Sequence, residues 1–209
     1  TLRNTSANTY TGGTTIDGGI LSLGSGGGLT SHQDALGTGS VTVNSGAEVR
    51  LWIQNAGSFT IDNAFTLDGG SIYAEDGTYN LSGAMTLVAG GGTLSAKWDG
   101  KSLTVSGVIS GAGALTIDER AGGNGSIVIL GNTSANTYTG GTTIDGGILS
   151  LGSGGGLTSH QDALGTGSVT VNSGAEVRLW IQNVGSFTID NAFTLDGGSI
   201  HAEDGIYDV

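Results

Sequence analysis

The sequence predicts an all-β fold, a right-handed parallel β-helix (β-solenoid) with roughly 20-25 residues per coil. The first observation is composition: 42 of the 209 residues are glycine, none is proline or cysteine, and 36% are still hydrophobic. The second is a series of short runs in which apolar and polar residues alternate, separated by Gly, Asn, Asp or Ser, which is typical of strands joined by turns. The third is a long internal repeat, which is typical of solenoids.

The repeat spans most of the chain. Residues 4–81 recur as residues 132–209, an offset of 128, with 73 identities in 78 positions. We therefore divide a single β-solenoid fragment, residues 1–209, into a first long repeat at 4–131 and a partial second repeat at 132–209. Because the second copy stops part-way and solenoids need polar caps at their ends, we expect this segment to come from a longer array.

A finer period lies within each long repeat. Strand-like runs begin at Ser40, Ala64, Ala84 and Val108, so the middle step is shorter than the two that flank it. Roughly five coils therefore fill each long repeat. The connections are too short for helical crossovers, so each strand is expected to pair in parallel with its equivalent in the next coil.

Alternation along each run predicts which side chains face the core. The residues predicted inside are Val41, Val43, Val49, Leu51, Ile53, Phe59, Ile61, Phe65, Leu67, Ile72 and Ala74. The residues predicted outside are Thr42, Glu48, Arg50, Trp52, Thr60, Thr66 and Tyr73. Trp98 is in phase with Leu94 and Ala96 and is also predicted to lie in the core. Residues 24–35 are too many for a turn and predict a projecting loop with one helical turn.

The charge balance excludes several classes of function. The formal net charge is -12, from 18 acidic and six basic residues. The bases form no cluster that could neutralise phosphates, so we expect no nucleic-acid partner. No run of about 18 apolar residues is present, so we expect no membrane insertion by this segment.

Two motifs resemble a known family. Residues 8–21, NTYTGGTTIDGGIL, recur at 136–149 and resemble the autotransporter passenger-associated β-strand repeat. Residues 35–43, ALGTGSVTV, recur at 163–171 and resemble the stretch that usually follows in that family. The resemblance implies an autotransporter-type adhesin passenger domain displayed outside a Gram-negative cell.

The residue types of a catalytic site are present, but their spacing argues against one. Residues 31–34, SHQD, and their copy at 159–162 supply nucleophile, base and acid, yet near neighbours in sequence rarely converge into a triad. Paired acids occur at 75–76 and 118–119, but adjacent acids diverge, and near-identical units offer no single differentiated cleft. We predict no enzyme and no catalytic residue. The alternative is a polysaccharide-binding or polysaccharide-processing β-helix protein.

No metal ligand or cofactor site is predicted. Residues 122–126 begin the calcium-binding pattern Gly-Gly-x-Gly-x-Asp and then lack the Asp. Weak calcium binding in the turns near Asp76 or Asp118 stays open, with solvated surface acids as the alternative.

An exposed binding patch is predicted on the outer surface. Its residues are Trp52, Arg50, Tyr73, Trp180 and Arg178. An exposed Trp can stack on sugars or on protein partners. The alternative is that Trp52 packs under a loop or against Tyr73. Outward threonines such as Thr42 and Thr60 invite comparison with ice-binding solenoids, but we set this aside because they do not recur at a constant step in the sequence.

The expected function is structural and adhesive. We expect a stalk or multivalent adhesion surface in a large secreted or cell-surface repeat protein, because repetition supplies reach and multivalency. The candidate partners are glycans and a host or neighbouring cell surface, with end-to-end or side-by-side self-association as a further expectation. The resemblance implies an extracellular location on the outer surface of a bacterium.

Overall fold

Short parallel strands stack in three sheets that form the sides of a solenoid in the computed structural model. The structure describes residues 1–24, 33–53, 58–97, 100–120, 125–152, 161–180, 186–203 and 206–209. The prediction of an all-β parallel solenoid is confirmed. Within the described part of the chain, no helix is long and apolar enough to cross a membrane.

Each sheet contains strands from successive coils. Side 1 consists of β1 (Thr14–Ile16), β3 (Val41–Asn44), β6 (Phe65–Asp68), β9 (Met85–Leu87) and β12 (Ile109–Gly111). Side 2 consists of β2 (Gly19–Leu23), β4 (Ala47–Trp52), β7 (Gly70–Asp76), β10 (Gly92–Ala96), β13 (Leu115–Ile117), β15 (Thr142–Ile144), β17 (Val169–Asn172) and β20 (Phe193–Asp196). Side 3 consists of β5 (Ser58–Ile61), β8 (Thr78–Leu81), β11 (Ser102–Val105), β14 (Ile127–Leu130), β16 (Ile148–Leu151), β18 (Glu176–Leu179) and β21 (Ser199–Ala202).

Two smaller elements complete the described structure. Strands β19 (Ser186–Thr188) and β22 (Ile206–Asp208) form a parallel pair. A 3-10 turn spans Gln33–Leu36. This turn agrees with the helical turn predicted within 24–35, whereas residues 25–32, on which the predicted projection depends, lie outside the described residues.

The parallel register fixes the length of each coil. Val41 lies opposite Phe65, and Phe65 lies opposite Met85, so the longer and the shorter step predicted from the sequence are both confirmed. The mean coil is about 24 residues long. Ile148 pairs with Glu176, which is a longer step than the mean, and residues 152–163, the copy of segment 24–35, lie between them in the sequence.

Alternation of buried and outward side chains gives the solenoid its core. In β4, Ala47, Val49 and Leu51 are buried, while the residues between them are partly exposed. The side chains predicted inside are buried, except Phe59, which is partly buried and packs against the core. Burying these apolar side chains is the main stabilising term, at about 25 cal/mol per Å² of apolar surface.

Tyr79 shows how a polar atom is accommodated in this core. Its side chain is fully buried on β8. Its hydroxyl accepts a hydrogen bond of 2.8 Å from the Ile53 amide and donates one to the Asp76 carbonyl. Both hydrogen-bonding roles of the hydroxyl are therefore filled, which avoids the cost of an unpaired buried polar group. Burial raises the pKa of Tyr79 well above its ordinary value.

Outward hydroxyl groups lie in register although their spacing in the sequence is unequal. On side 1 the row is Thr15, Thr42, Thr66, Thr86 and Ser110. On side 2 the row is Thr93, Thr116, Thr143, Thr170 and Thr194. An irregular step in the sequence therefore does not prevent an aligned row that contains Thr42, whereas Thr60 lies opposite Asn80 on side 3 and belongs to neither row. Coils differ in length mainly in the residues between their strands, so the strands still align.

Identical residues in the two copies show that each coil is covered by the next. Leu67 of β6 is fully buried, whereas its copy Leu195 of β20 is 51% exposed. β6 lies between two strands, while β20 is the last strand of its sheet. Tyr10 and its copy Tyr138 differ in the same way, with exposures of 40% and 0%. A coil is therefore stable only through its neighbours.

This contrast predicts unequal effects of one substitution. Leu67→Ala should destabilise the protein by about 2–5 kcal/mol, because it removes a fully buried side chain and leaves a cavity. Leu195→Ala, in the same local sequence, should cost much less, because half of that side chain already meets water. Urea unfolding followed by far-ultraviolet circular dichroism measures both, and equal losses would contradict coil-by-coil burial.

Candidate functional site

The outward face of side 2 carries a cluster of charged residues around Tyr73. We call it the side-2 cluster: Glu48, Arg50, Tyr73, Glu75, Lys97 and Arg120. Glu48 and Arg50 are two positions apart on β4, so both point outward. Their Oε1 and Nε atoms are 2.9 Å apart, with side-chain exposures of 13% and 21%.

Glu75 adds an acid to the cluster, because it lies two positions beyond Tyr73 on β7 and faces the same side. The register shifts between Leu51 and Trp52, so that Trp52 lies opposite Asp76 and Glu75 is the extra residue. Glu75 Oε1 lies 3.3 Å from Lys97 Nζ, and its Oε2 lies 3.9 Å from Arg50 Nε. The Glu75 carboxylate therefore lies between two bases.

The paired acids at 75–76 are held by different partners. Glu75 contacts Lys97 and Arg50, whereas Asp76 Oδ1 lies 3.6 Å from Lys101 Nζ. Two carboxylates that act together on a glycosidic bond must both face the substrate. The two acids here contact different bases, Glu75 two of them and Asp76 one.

Tyr73, at the centre of the cluster, is more buried than the sequence predicts. The prediction that Tyr73 is exposed is wrong, because the residue is only 5% exposed. The guanidinium carbon of Arg120 lies 4.6 Å from the ring centroid, and that of Arg50 lies 5.9 Å away. Both are cation–π contacts. Burial, and then the negative charge of Glu75, raise the pKa of Tyr73.

Arg120 connects distant coils. It follows β13, yet its Nη1 atom donates a hydrogen bond to Glu48 Oε2 on β4, and its side chain crosses the Tyr73 ring on the way. That hydrogen bond raises the pKa of Arg120. Nothing in the local sequence of Arg120 indicates this contact, because its partner lies 72 positions away.

The second copy forms a smaller cluster on another side. Arg178 Nε lies 2.9 Å from Glu176 Oε1 and 3.8 Å from Glu203 Oε1. His201 stands where the first copy has Tyr73, and its Nε2 atom lies 3.7 Å from Glu203 Oε1. These residues lie on and beside β18 and β21, on side 3. The five residues of the predicted patch therefore form two patches rather than one.

Trp52 and Trp180 are both partly exposed next to these clusters. Trp52 ends β4 on side 2, and Trp180 directly follows β18 on side 3. Each tryptophan is two positions beyond an arginine whose side chain is 21% exposed. Each patch thus combines part of an indole ring with a charged group, and binding at either patch remains a prediction.

The family-like motifs contact one another in the fold. Asn63 Nδ2 donates hydrogen bonds of 3.0 Å to Gly37 O and 2.8 Å to Gly39 O. A Cβ atom on Gly39 would lie 2.3 Å from the amide nitrogen of Gly13. The second copy repeats the amide contacts, from Asn191 to Gly165 O and Gly167 O, at 3.1 and 2.8 Å. The motifs therefore hold the connections between coils together.

Some of the catalytic, calcium-binding and core residues considered from the sequence are not described by the structure. Residues 31–32, 159–160, Trp98 and 122–124 lie outside the described residues. Glu119 lines a surface cavity of about 380 Å³ with Glu176. Among the described residues, no group of three or more His, Cys, Asp or Glu is placed to hold a metal ion.

Known proteins match this chain in two ways. The model of the passenger-associated-transport-repeat family matches residues 1–23 and 110–151, and both stretches contain the first of the two motifs. The adhesin BmaC autotransporter of Brucella suis biovar 1 (strain 1330) is 32% identical over 211 residues. That alignment covers 97% of this chain and 5% of the relative, so the chain spans a small part of that protein. No solved structure gives a significant match.

The close approach at Gly39 gives a testable prediction. Gly39→Ala should strongly destabilise the protein, because the new Cβ would overlap the backbone of Gly13. Gly18→Ala is the matched control: a Cβ there meets nothing within 4 Å. We expect the thermal midpoint of Gly18→Ala to stay near that of the parent protein. A similar midpoint for Gly39→Ala would contradict the interlocking of the motifs.

The contact between Arg120 and Glu48 gives a second prediction. A double-mutant cycle of Arg120→Met and Glu48→Gln should give a coupling energy of about 1 kcal/mol or less, because solvent screens a partly exposed ion pair. The arginine side chain is 39% exposed. Urea unfolding of the four variants measures the coupling. A coupling well above 1 kcal/mol would contradict the screening of this pair by solvent.

Proposed function

Because this chain carries passenger-associated-transport repeats of the autotransporter type, we propose that it is a non-enzymatic segment of a secreted or surface-displayed passenger. In this proposal it acts as a stalk that also presents a multivalent adhesive surface. The location at the bacterial cell surface is part of the same proposal, and it is supported by the family match and by the adhesin relative.

The observation that carries the stalk proposal is the continuity of the sheets across the repeat boundary. Leu115 of β13 in the first copy pairs with Thr142 of β15 in the second. Ile127 of β14 likewise pairs with Ile148 of β16. The boundary therefore has the same backbone hydrogen bonding as any other pair of coils. Copies joined in this way form one rod rather than separate beads on a linker.

The adhesive part of the proposal depends on the outward residues. Trp52 and Trp180 offer partly exposed indole surface beside Arg50 and Arg178. A planar ring beside a cation is suited to carbohydrate hydroxyls and sugar faces. Polysaccharide binding is therefore the form of adhesion that we favour. Polysaccharide processing is less well supported, because the acids at 75–76 are engaged by separate bases.

One binding experiment tests this proposal. The purified protein is incubated with a panel of soluble polysaccharides and cell-surface glycans, and both retention and chain cleavage are measured. We expect retention without cleavage, weakened at least several-fold in Trp52→Ala/Trp180→Ala. Thr66→Ala, on side 1 and away from both tryptophans, is the matched control and should bind normally.

Each outcome of that experiment is informative. Retention that is unchanged in the double variant would overturn the assignment of the patches. Retention absent from the whole panel would remove the adhesive role and leave the stalk. Cleavage would overturn the non-enzymatic assignment.

A further inference from the structure

Equivalent strands of the two copies lie on different sides of the solenoid. Strands β1 and β3 belong to side 1, but their copies β15 and β17 belong to side 2. Strands β2, β4 and β7 belong to side 2, but their copies β16, β18 and β21 belong to side 3. All of these pairs are displaced in the same direction, so the second copy as a whole is turned by one side relative to the first.

The cause is visible at the boundary between the copies. The segment 136–139 continues side 1, because Thr137 N and Thr139 N donate hydrogen bonds to Ile109 O and Gly111 O of β12, at 2.8 and 3.0 Å. The next strand, β15, must then fall on side 2. Side 1 contains five strands of the first copy before this segment begins the sixth coil. One long repeat therefore equals five coils plus one side.

We propose that the long repeat acts as a screw that displays the same outward residues on each side of the rod in turn. Successive copies are displaced by one side and by about 26 Å along the axis, since coils are about 4.8 Å apart. Three copies return a residue to its original side. This inference rests on the proposed role as a multivalent surface, and it adds the direction in which each binding patch faces.

The screw determines which kind of partner can use every copy. The patch with Trp52 and Arg50 faces outward from side 2, and the patch with Trp180 and Arg178 faces outward from side 3. A rigid flat surface that meets one side of the rod contacts at most one copy in three. A flexible polymer that carries repeated ligands, such as a glycan chain, can wind around the rod and contact each copy. The display geometry therefore favours a flexible polymeric partner.

The displacement can be tested with engineered cysteines, because the chain contains none. Thr143 lies in register with Thr116 on side 2. Thr15, the equivalent of Thr143 in the first copy, begins the hydroxyl row of side 1, and Ser110 ends it. If the long repeat were a whole number of coils, Thr143 would lie on side 1 next to Ser110. The two variants are therefore Thr116→Cys/Thr143→Cys and Ser110→Cys/Thr143→Cys.

Each double variant is treated with dibromobimane, which bridges thiols about 5 Å apart, the spacing of neighbouring parallel strands. Intact mass distinguishes one bridging bimane from two separate adducts. We expect a bridge in Thr116→Cys/Thr143→Cys and separate adducts in Ser110→Cys/Thr143→Cys. A bridge in the second variant only, or in neither while circular dichroism shows native β structure, would overturn the screw. The readout involves no ligand, so its outcome is separate from that of the binding experiment.

Discussion

The backbone hydrogen bonds between coils run along the axis of this protein, and each strand finds its partner about 24 residues away in the chain. Because the pairing is parallel and in register, inward residues stack on inward residues from coil to coil. A shift of one position would turn the apolar set outward, so the buried core and the register enforce one another. The fully buried Leu67 and its half-exposed copy Leu195 show how much of this burial comes from the neighbouring coil.

The parallel register also determines which side chains meet on the outer surface, where the contacts are polar and charged. Register brings Glu48, Arg50 and Tyr73 together from adjacent strands, and alternation along β7 adds Glu75. The long side chain of Arg120 then covers the tyrosine ring from a more distant coil. Partly exposed ion pairs of this kind contribute little to stability individually. In this cluster they accompany the cation–π contacts of Arg50 and Arg120 with the Tyr73 ring.

The fold was largely predictable because its signals are local. Alternation in segments such as Val41–Asn44 indicates strand and facing, and the repeat indicates stacking. The cover over Tyr73 was not predictable, because Arg120 reaches it only after several coils have stacked. The threonine rows were not predictable from their spacing, because steps in the sequence include the residues of turns and loops, whereas register depends only on the positions of the strands. The one-side displacement likewise depends on segment 136–139 occupying a place in side 1, which no local pattern indicates.

The near identity of the copies, 73 of 78 positions, has a consequence for how such a chain changes over generations. Recombination between near-identical copies adds or removes whole units, and the new junction joins the same two sequences that already meet at the boundary near Asn132. The paired strands at that boundary, β13 with β15 and β14 with β16, are therefore preserved. Loss of one unit shortens the rod without a packing defect, and it also turns everything beyond the junction by one side. Length variation in this architecture is thus inseparable from a change in the direction faced by whatever the rod carries.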